Sequence, residues 1–332
     1  MSERMVAKLK SAIRQFVPMQ MIVPVFNTYV RLKARSRGYS VVSNPDFFRI
    51  LHKDREIRLA RSQSLYLNDT IENFDFYFDG VEPERVDGID VVDYSMPRRH
   101  KVKNFDAFPV FFPAVAEPTI TTDQYIDFAK LEPGAVVIDL GAYSGLTSIL
   151  FDMAIPSGGT VLAIEADQQN IAACKQNFAA YREYCGRDIE LIESAIWSDD
   201  EGVTFSSEGS MGSSVMSVVG SGRGEPIKVP SLTLTSLVKR FNLARVDFIK
   251  CDIEGGEVAV FDQPAFFARH SPKIMIECHI VGGLSTSIAC SEILGKYGYN
   301  CELVMQRGYP LPLLTCTRTS FESYVGPDSQ PV

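Results

Sequence analysis

The sequence predicts an α/β protein, a mostly parallel sheet covered by helices on both faces, behind an irregular amino-terminal cap. Three observations carry this prediction. From about residue 121, short continuous apolar runs alternate with helical patterns, as strands buried on both faces require. A glycine-rich turn closes the first of these runs, where a strand passes into a helix. The 332 residues exceed what one domain of roughly 150 residues needs, which leaves room for a preceding unit. With 45% apolar and 22% charged residues, the chain can build an ordinary core, which excludes global disorder. A net charge of −8 argues against a generic nucleic-acid binder.

Residues 1–40 differ in kind from the rest. They hold eight Lys/Arg against the single acid Glu3, a net of +7, whereas the remaining 292 residues carry a net of −15. Met5, Val6, Leu9, Ile13, Phe16 and Val17 recur at helical spacing, opposite Arg4, Lys8, Lys10 and Arg14. Two readings fit this arm. The favoured one is a helix docked on the protein's own body with a solvated basic face. The other is a peripheral contact with an anionic membrane surface, at the inner face of the membrane. Residues 41–115 form the irregular cap, with Phe74–Phe78 and Ile89–Val92 as short alternating strands.

Residues 116–332 form the main domain. Strands are expected over Ala135–Leu140, Thr160–Ala166, Glu190–Trp197, Val246–Asp252, Lys273–Cys278 and Asn300–Met305. After the second strand, a helix places Ile171, Cys174, Phe178 and Tyr181 on one face. Gly209–Gly224 is a Gly/Ser-rich loop long enough to be functional. The seven cysteines are odd in number, form no CxxC and are absent before residue 174, which favours reduced thiols in a cytoplasmic protein. The apolar stretch Phe16–Val30 is interrupted by Pro18, Gln20, Pro24 and Asn27 and is too short to span a bilayer.

The chemistry begins at the turn Asp139-Leu-Gly141-Ala-Tyr143-Ser-Gly145. Glycines let the backbone turn sharply and approach a ligand, and a helix N-terminus offers free N–H groups. Tyr143 stands where a dinucleotide fingerprint needs its second glycine, so a pyrophosphate could not come close. Glu165 ends the next strand, placed to accept both hydroxyls of a ribose. An unphosphorylated nucleoside held this way points to S-adenosylmethionine. A second cluster gathers at the ends of two later strands, in Lys250-Cys-Asp252-Ile-Glu254-Gly-Gly-Glu257 and Glu277-Cys-His279. Asp252, Glu254 and His279 are the candidates for removing a proton from a hydroxyl nucleophile, with Glu277 either beside them or a buried structural acid. Such groups can hold a divalent cation, although no metal site is expected from the sequence.

These segments, DLGAYSG, AIEAD, ESAIWSDDEG, VPSLTLTSLV, VDFIKCDIEGGE and IMIECH, resemble in order and spacing the FkbM-type methyltransferases, over roughly residues 121–280. The resemblance implies a class I, S-adenosylmethionine-dependent O-methyltransferase acting on hydroxyls of sugar, glycan or polyketide-type acceptors. It places Asp139, Gly141 and Gly145 at the methionine end of the cofactor and Glu165 on the ribose. Tyr143 stands where the family often has Asn, and Ser194 and Ala195 fall where the fold contacts adenine. The rival readings are a cofactor-fold binding subunit without turnover and a nicotinamide-dependent oxidoreductase, the latter disfavoured by Tyr143.

Overall fold

The computed structural model describes residues 29–207, 214–215, 225–281 and 283–318. The chain divides into two compact units, Met1–Pro118 and Thr119–Val332.

In the first unit, the amphipathic stretch expected over Met5–Val17 lies outside the described residues. Residues 29–36 are helical and bury Val30 and Ala34, one helical turn apart. Strands β1 (Ser40–Ser43), β2 (Phe47–His52), β3 (Arg55–Ala60), β4 (Glu84–Val86) and β5 (Ile89–Tyr94) form a sheet in the order β1-β2-β3-β5-β4. A hairpin of β6 (Arg98–His100) and β7 (Val110–Phe112) follows. The strand expected over Phe74–Phe78 is instead the helix Phe74–Asp79. Five residues are too few for periodicity to separate the two periods. The buried side chains decide it, because Phe74, Tyr77 and Phe78 lie at i, i+3 and i+4, with Phe74 stacked on Phe78 at 5.5 Å.

The second unit is built on seven strands in the order β10-β9-β8-β16-β17-β21-β20. These are β8 (Val136–Leu140), β9 (Thr160–Glu165), β10 (Glu190–Glu193), β16 (Phe248–Cys251), β17 (Lys273–Glu277), β20 (Asn300–Met305) and β21 (Pro312–Thr317). All neighbours are parallel except β21, which runs antiparallel between β17 and β20. Every residue of β8 and β16 is buried, which is why both read as continuous runs and not as alternating ones. Helices Leu146–Ala154 and Gln168–Cys185 carry the chain from β8 to β9 and from β9 to β10. The second starts where the Asp167 side chain accepts from the N–H groups of Gln169 and Asn170, and it buries Ile171, Cys174, Phe178 and Tyr181 as the spacing predicts. Ile138, Leu140, Ile249, Ile274 and Ile276 pack with Leu234, Leu237, Phe261, Phe266 and Leu294 in one core. Burial of each such side chain stabilises by about 1.5–3 kcal/mol. That core holds the strand ends rigid beneath the site.

Three expectations for this unit change. The run Glu190–Trp197 splits at Ser194, and β11 (Ala195–Ile196) leaves the sheet to pair with β15 (Ser231–Leu232). Between them lie the short sheet strands β12 (Val203–Ser207), β13 (Ser214–Val215) and β14 (Glu225–Val229); β13 falls within the expected Gly209–Gly224 loop, most of which is outside the described residues. Strand β21 was not anticipated, because its first residue, Pro312, reads as a breaker yet is tolerated at the start of a strand. Finally, Cys301 and Cys316, directly paired in the β20–β21 register, form a disulfide. This corrects the expectation of reduced thiols throughout; Cys174, Cys185, Cys251, Cys278 and Cys290 form no disulfide. A cross-strand bridge depends on register, and a count of spacings cannot reveal it. Among the described residues, no helix is long and apolar enough to cross a membrane.

Candidate functional site

Strand order reverses between β8 and β16, since the chain runs outward from β8 through β9 and β10 and later returns to its other side. Such switch points leave a crevice at the carboxyl ends of the strands. The turn after β8 lies there. Gly141 has φ +79°, and a Cβ on it would stand 1.9 Å from the carbonyl oxygen of Asp252, so only glycine lets the two loops touch. Tyr143 also adopts positive φ, at 50°, and its ring is buried. Gly145, at φ +81°, is a glycine for a different reason. Its Cβ would lie 2.6 Å from the Phe178 ring, so the close packing of the helix on the turn requires it.

Glu165, at the end of β9, is buried and bound by backbone donors. Its Oε1 accepts from the N–H groups of Ala166 and Asp167, and its Oε2 from that of Tyr143, each at 2.8 Å. Burial pushes its pKa up to about 7 despite these three donors. A carboxylate oxygen has about two acceptor positions. Oε1 is therefore filled, Oε2 keeps one, and the expected pair of ribose contacts reduces to one. Ser194 and Ala195 are likewise engaged: the Ser194 hydroxyl donates to the carbonyls of Ala195 and Pro230, and the Ala195 N–H donates to Pro230 O. Neither has a free polar hydrogen for a purine.

Asp139 is completely buried. Its Oδ2 accepts from Ser148 Oγ at 2.6 Å, and its Oδ1 lies 3.4 Å from Lys250 Nζ on the adjacent strand. Lys250 is 2% exposed and donates to Gly141 O at 2.7 Å. Asp139 thus acts by holding Lys250, which in turn holds the glycine turn. Lys250 Nζ also lies 3.8 Å from Asp252 Oδ2 at the mouth of the crevice.

Asp252, Glu254, Glu277 and His279 do gather. His279 Nε2 faces Asp252 Oδ1 and Glu254 Oε1 at 3.7 Å each and Glu277 Oε1 at 4.0 Å. All four residues are partly exposed, open to whatever enters the crevice. The other imidazole nitrogen, Nδ1, bonds at 2.8 Å to Glu257 Oε1, which is fully buried and also accepts from the Gly255 N–H. Burial opposes a charged imidazole, yet Glu254, the bond to Glu257 and Asp252 outweigh it and hold the pKa of His279 well above its ordinary value. Glu277 moves up to about 8, first through burial and then through the neighbouring Asp252 charge. Glu254 itself sits at φ +54°, in the left-handed region.

The glycine turn, the acid ending the next strand and the imidazole–carboxylate cluster all fall inside one segment that matches a known domain, the methyltransferase FkbM domain, over residues 139–286. Residues 139–286 are an FkbM methyltransferase domain. The protein is accordingly an S-adenosylmethionine-dependent methyltransferase, built on a mostly parallel α/β sheet. No curated protein sequence matches the chain. Among solved structures it is similar to the methyltransferase FkbM from Methylobacillus flagellatus, at 16% identity and a TM-score of 0.40, over 58% of this chain and 50% of that one. It is also similar to a precorrin-6y C5,15-methyltransferase from Geobacter metallireducens, at 17% identity and a TM-score of 0.37, over 60% and 87% of the two chains. An O-methyltransferase from Bacillus cereus in complex with SAH is similar at 13% identity and a TM-score of 0.38, over 61% and 82%. The family assignment rests on the domain match.

Sequence reasoning gave no role to three residues of the FkbM domain that shape the site. Lys250 carried a signal, a lone lysine inside the apolar run Val246–Cys251. Glu257 carried a weaker one, three residues after Glu254 at the start of a helix. Ser148, which holds Asp139, carried none. Gln306, beyond the FkbM domain, donates to Glu277 Oε2 at 3.4 Å and carried none either.

Proposed function

We propose that this enzyme methylates a hydroxyl oxygen of a sugar, glycan or polyketide-type acceptor. The observation that carries the reading is the partly exposed trio Asp252, Glu254 and His279, with the Asp252 backbone against the Gly141 turn. A hydroxyl needs a proton acceptor as it attacks carbon, and a carboxylate at this mouth provides one. Bound S-adenosylmethionine supplies an electrophilic methyl group on a sulfonium. The acceptor oxygen forms the new bond to that carbon, the S–C bond breaks with its electron pair left on sulfur, and the hydroxyl proton passes to Asp252 or Glu254. His279, anchored by Glu257, faces both carboxylates at 3.7 Å. Because the reaction is an in-line displacement, orientation and exclusion of water are the rest of the protein's contribution. The fit of the cofactor is supported by the remaining acceptor position on Glu165 Oε2 and by Tyr143, which stands where a pyrophosphate-binding turn carries glycine.

The test is methyl transfer from isotopically labelled S-adenosylmethionine to panels of sugar, glycan and polyketide hydroxyl acceptors, with products located by mass spectrometry. Label in an O-methyl ether is expected; products methylated only on nitrogen or carbon would overturn the reading. Cofactor binding gives a separate prediction. Trp197 is the only tryptophan, and it lies near the loop at Gly256, so its fluorescence reports binding. Since Glu165 ionises at about 7, affinity for S-adenosylmethionine should rise as pH increases from 6 to 8. The gain should be roughly fivefold, the difference between a neutral and a charge-assisted hydrogen bond. Glu165→Gln should bind weakly with no pH dependence over that range. A pH profile unchanged by the substitution would remove Glu165 from the cofactor site.

A further inference from the structure

We propose that Asp252, Glu277 and His279 form a divalent-cation site that also chelates two adjacent oxygens of the acceptor. The acceptor's part in this rests on the O-methylation reading above; the cation site does not. One donor atom from each residue lies within 4.8 Å of the others. His279 Nε2 stands 3.7 Å from Asp252 Oδ1 and 4.0 Å from Glu277 Oε1, too far for these atoms to hydrogen-bond to one another. Neighbouring donors on an octahedral cation with bonds of roughly 2.1 Å lie about 3 Å apart, so the three side chains would close by about 1 Å around it.

The second observation lies outside the three donors. His279 Nδ1 is tied to Glu257, a fully buried carboxylate on a neighbouring helix. That bond commits one nitrogen and aims the other, Nε2, into the cluster, where no hydrogen-bond partner meets it among the described residues. Metal-binding imidazoles are oriented in this way, with a carboxylate holding the nitrogen that does not bind metal. The remaining contacts orient the ligands in the same sense. The His279 N–H donates to Thr286 Oγ1 at 3.1 Å, while the Thr286 N–H donates to His279 O at 2.9 Å. Gln306 holds the other oxygen of Glu277, and the other oxygen of Asp252 faces Lys250. Lys250 also binds Asp139 and Gly141 O, so its charge is shared between the buried pair and the mouth.

Two carboxylate oxygens and one imidazole suit Mn²⁺ best, with Mg²⁺ as the harder alternative. Three protein ligands leave three octahedral positions open, enough for a hydroxyl and an oxygen on the adjoining carbon. The acceptor class narrows accordingly to molecules with vicinal oxygens, such as a sugar diol, and Glu254, outside the donor set, remains to take the proton.

The test is titration of Mn²⁺ into the chelator-dialysed full chain, with free ion followed by electron paramagnetic resonance. One Mn²⁺ per chain is expected. Asp252→Asn and Glu277→Gln should each weaken binding at least tenfold. Glu257→Gln, which leaves all three ligands in place, should weaken it about 10–100-fold. Circular dichroism and Trp197 fluorescence with S-adenosylmethionine confirm that each variant is folded. If either ligand variant is unfolded, Glu257→Gln decides. Failure of the wild-type chain to bind Mn²⁺ or Mg²⁺, or binding unchanged in the folded variants, overturns the site. A chain that fails to bind metal in the titration and still forms O-methyl ethers would sink the cation site and leave O-methylation standing. Cation binding with only N- or C-methyl products would do the reverse.

Discussion

Lys250→Met is expected to destabilise the second unit by about 3–5 kcal/mol, the cost of removing one partner from a buried ion pair. Methionine keeps the length of the side chain but leaves Asp139, completely buried, with Ser148 as its remaining side-chain hydrogen-bond donor. Gly141 O would also lose its donor from the lysine. Burial already pushes the pKa of Asp139 up against the pull of Lys250 and Ser148. Without the lysine, the carboxyl must take up a proton or remain as an uncompensated charge. For a unit of this size the loss corresponds to a fall of roughly 10 °C in the unfolding midpoint. A double-mutant cycle identifies the cause. Asp139→Asn combined with Lys250→Met removes both charges and should recover about 1 kcal/mol or more of the single variant's loss. A single variant losing less than about 1 kcal/mol, or a double variant no better than the single, would show that the pair is not what holds the turn.

Asp252→Asn should lower turnover by about 10²–10⁴ while leaving S-adenosylmethionine affinity within a few-fold of wild type. The substitution preserves shape and removes the charge that faces both His279 Nε2 and Lys250. His279→Ala should behave in the same way, because the ring stands 3.7 Å from the carboxylates of both Asp252 and Glu254 at the mouth of the crevice. The split between kcat and cofactor affinity is the informative readout. A structural role would change both, whereas a role toward the acceptor changes turnover alone. If both variants retain turnover within about threefold of wild type, the proton leaves by another route.

Much of this protein is legible in the chain itself. Strands β8 and β16 are buried on both faces, and burial on both faces demands the continuous apolar runs Val136–Leu140 and Phe248–Cys251. The face Ile171, Cys174, Phe178 and Tyr181 follows from the helical period, and Gly141 from the sharp turn that ends β8. These are local properties, decided by neighbours a few residues away. What each residue touches was decided by the tertiary structure. Within the turn, the adjoining strand brings Lys250 to Asp139 and the following helix brings Phe178 against Gly145, neither of which the local sequence shows. The five residues Phe74–Phe78 fit two periods, and only packing chose the helix. The break at Ser194 required Pro230, 36 residues away, to capture its hydroxyl. Glu257 became the anchor of His279 because a helix turned its first residue toward the end of a strand 22 residues later. Periodicity records which face of an element is buried. Strand order and register decide which distant atoms meet there, and the chemistry of this site depends on those meetings.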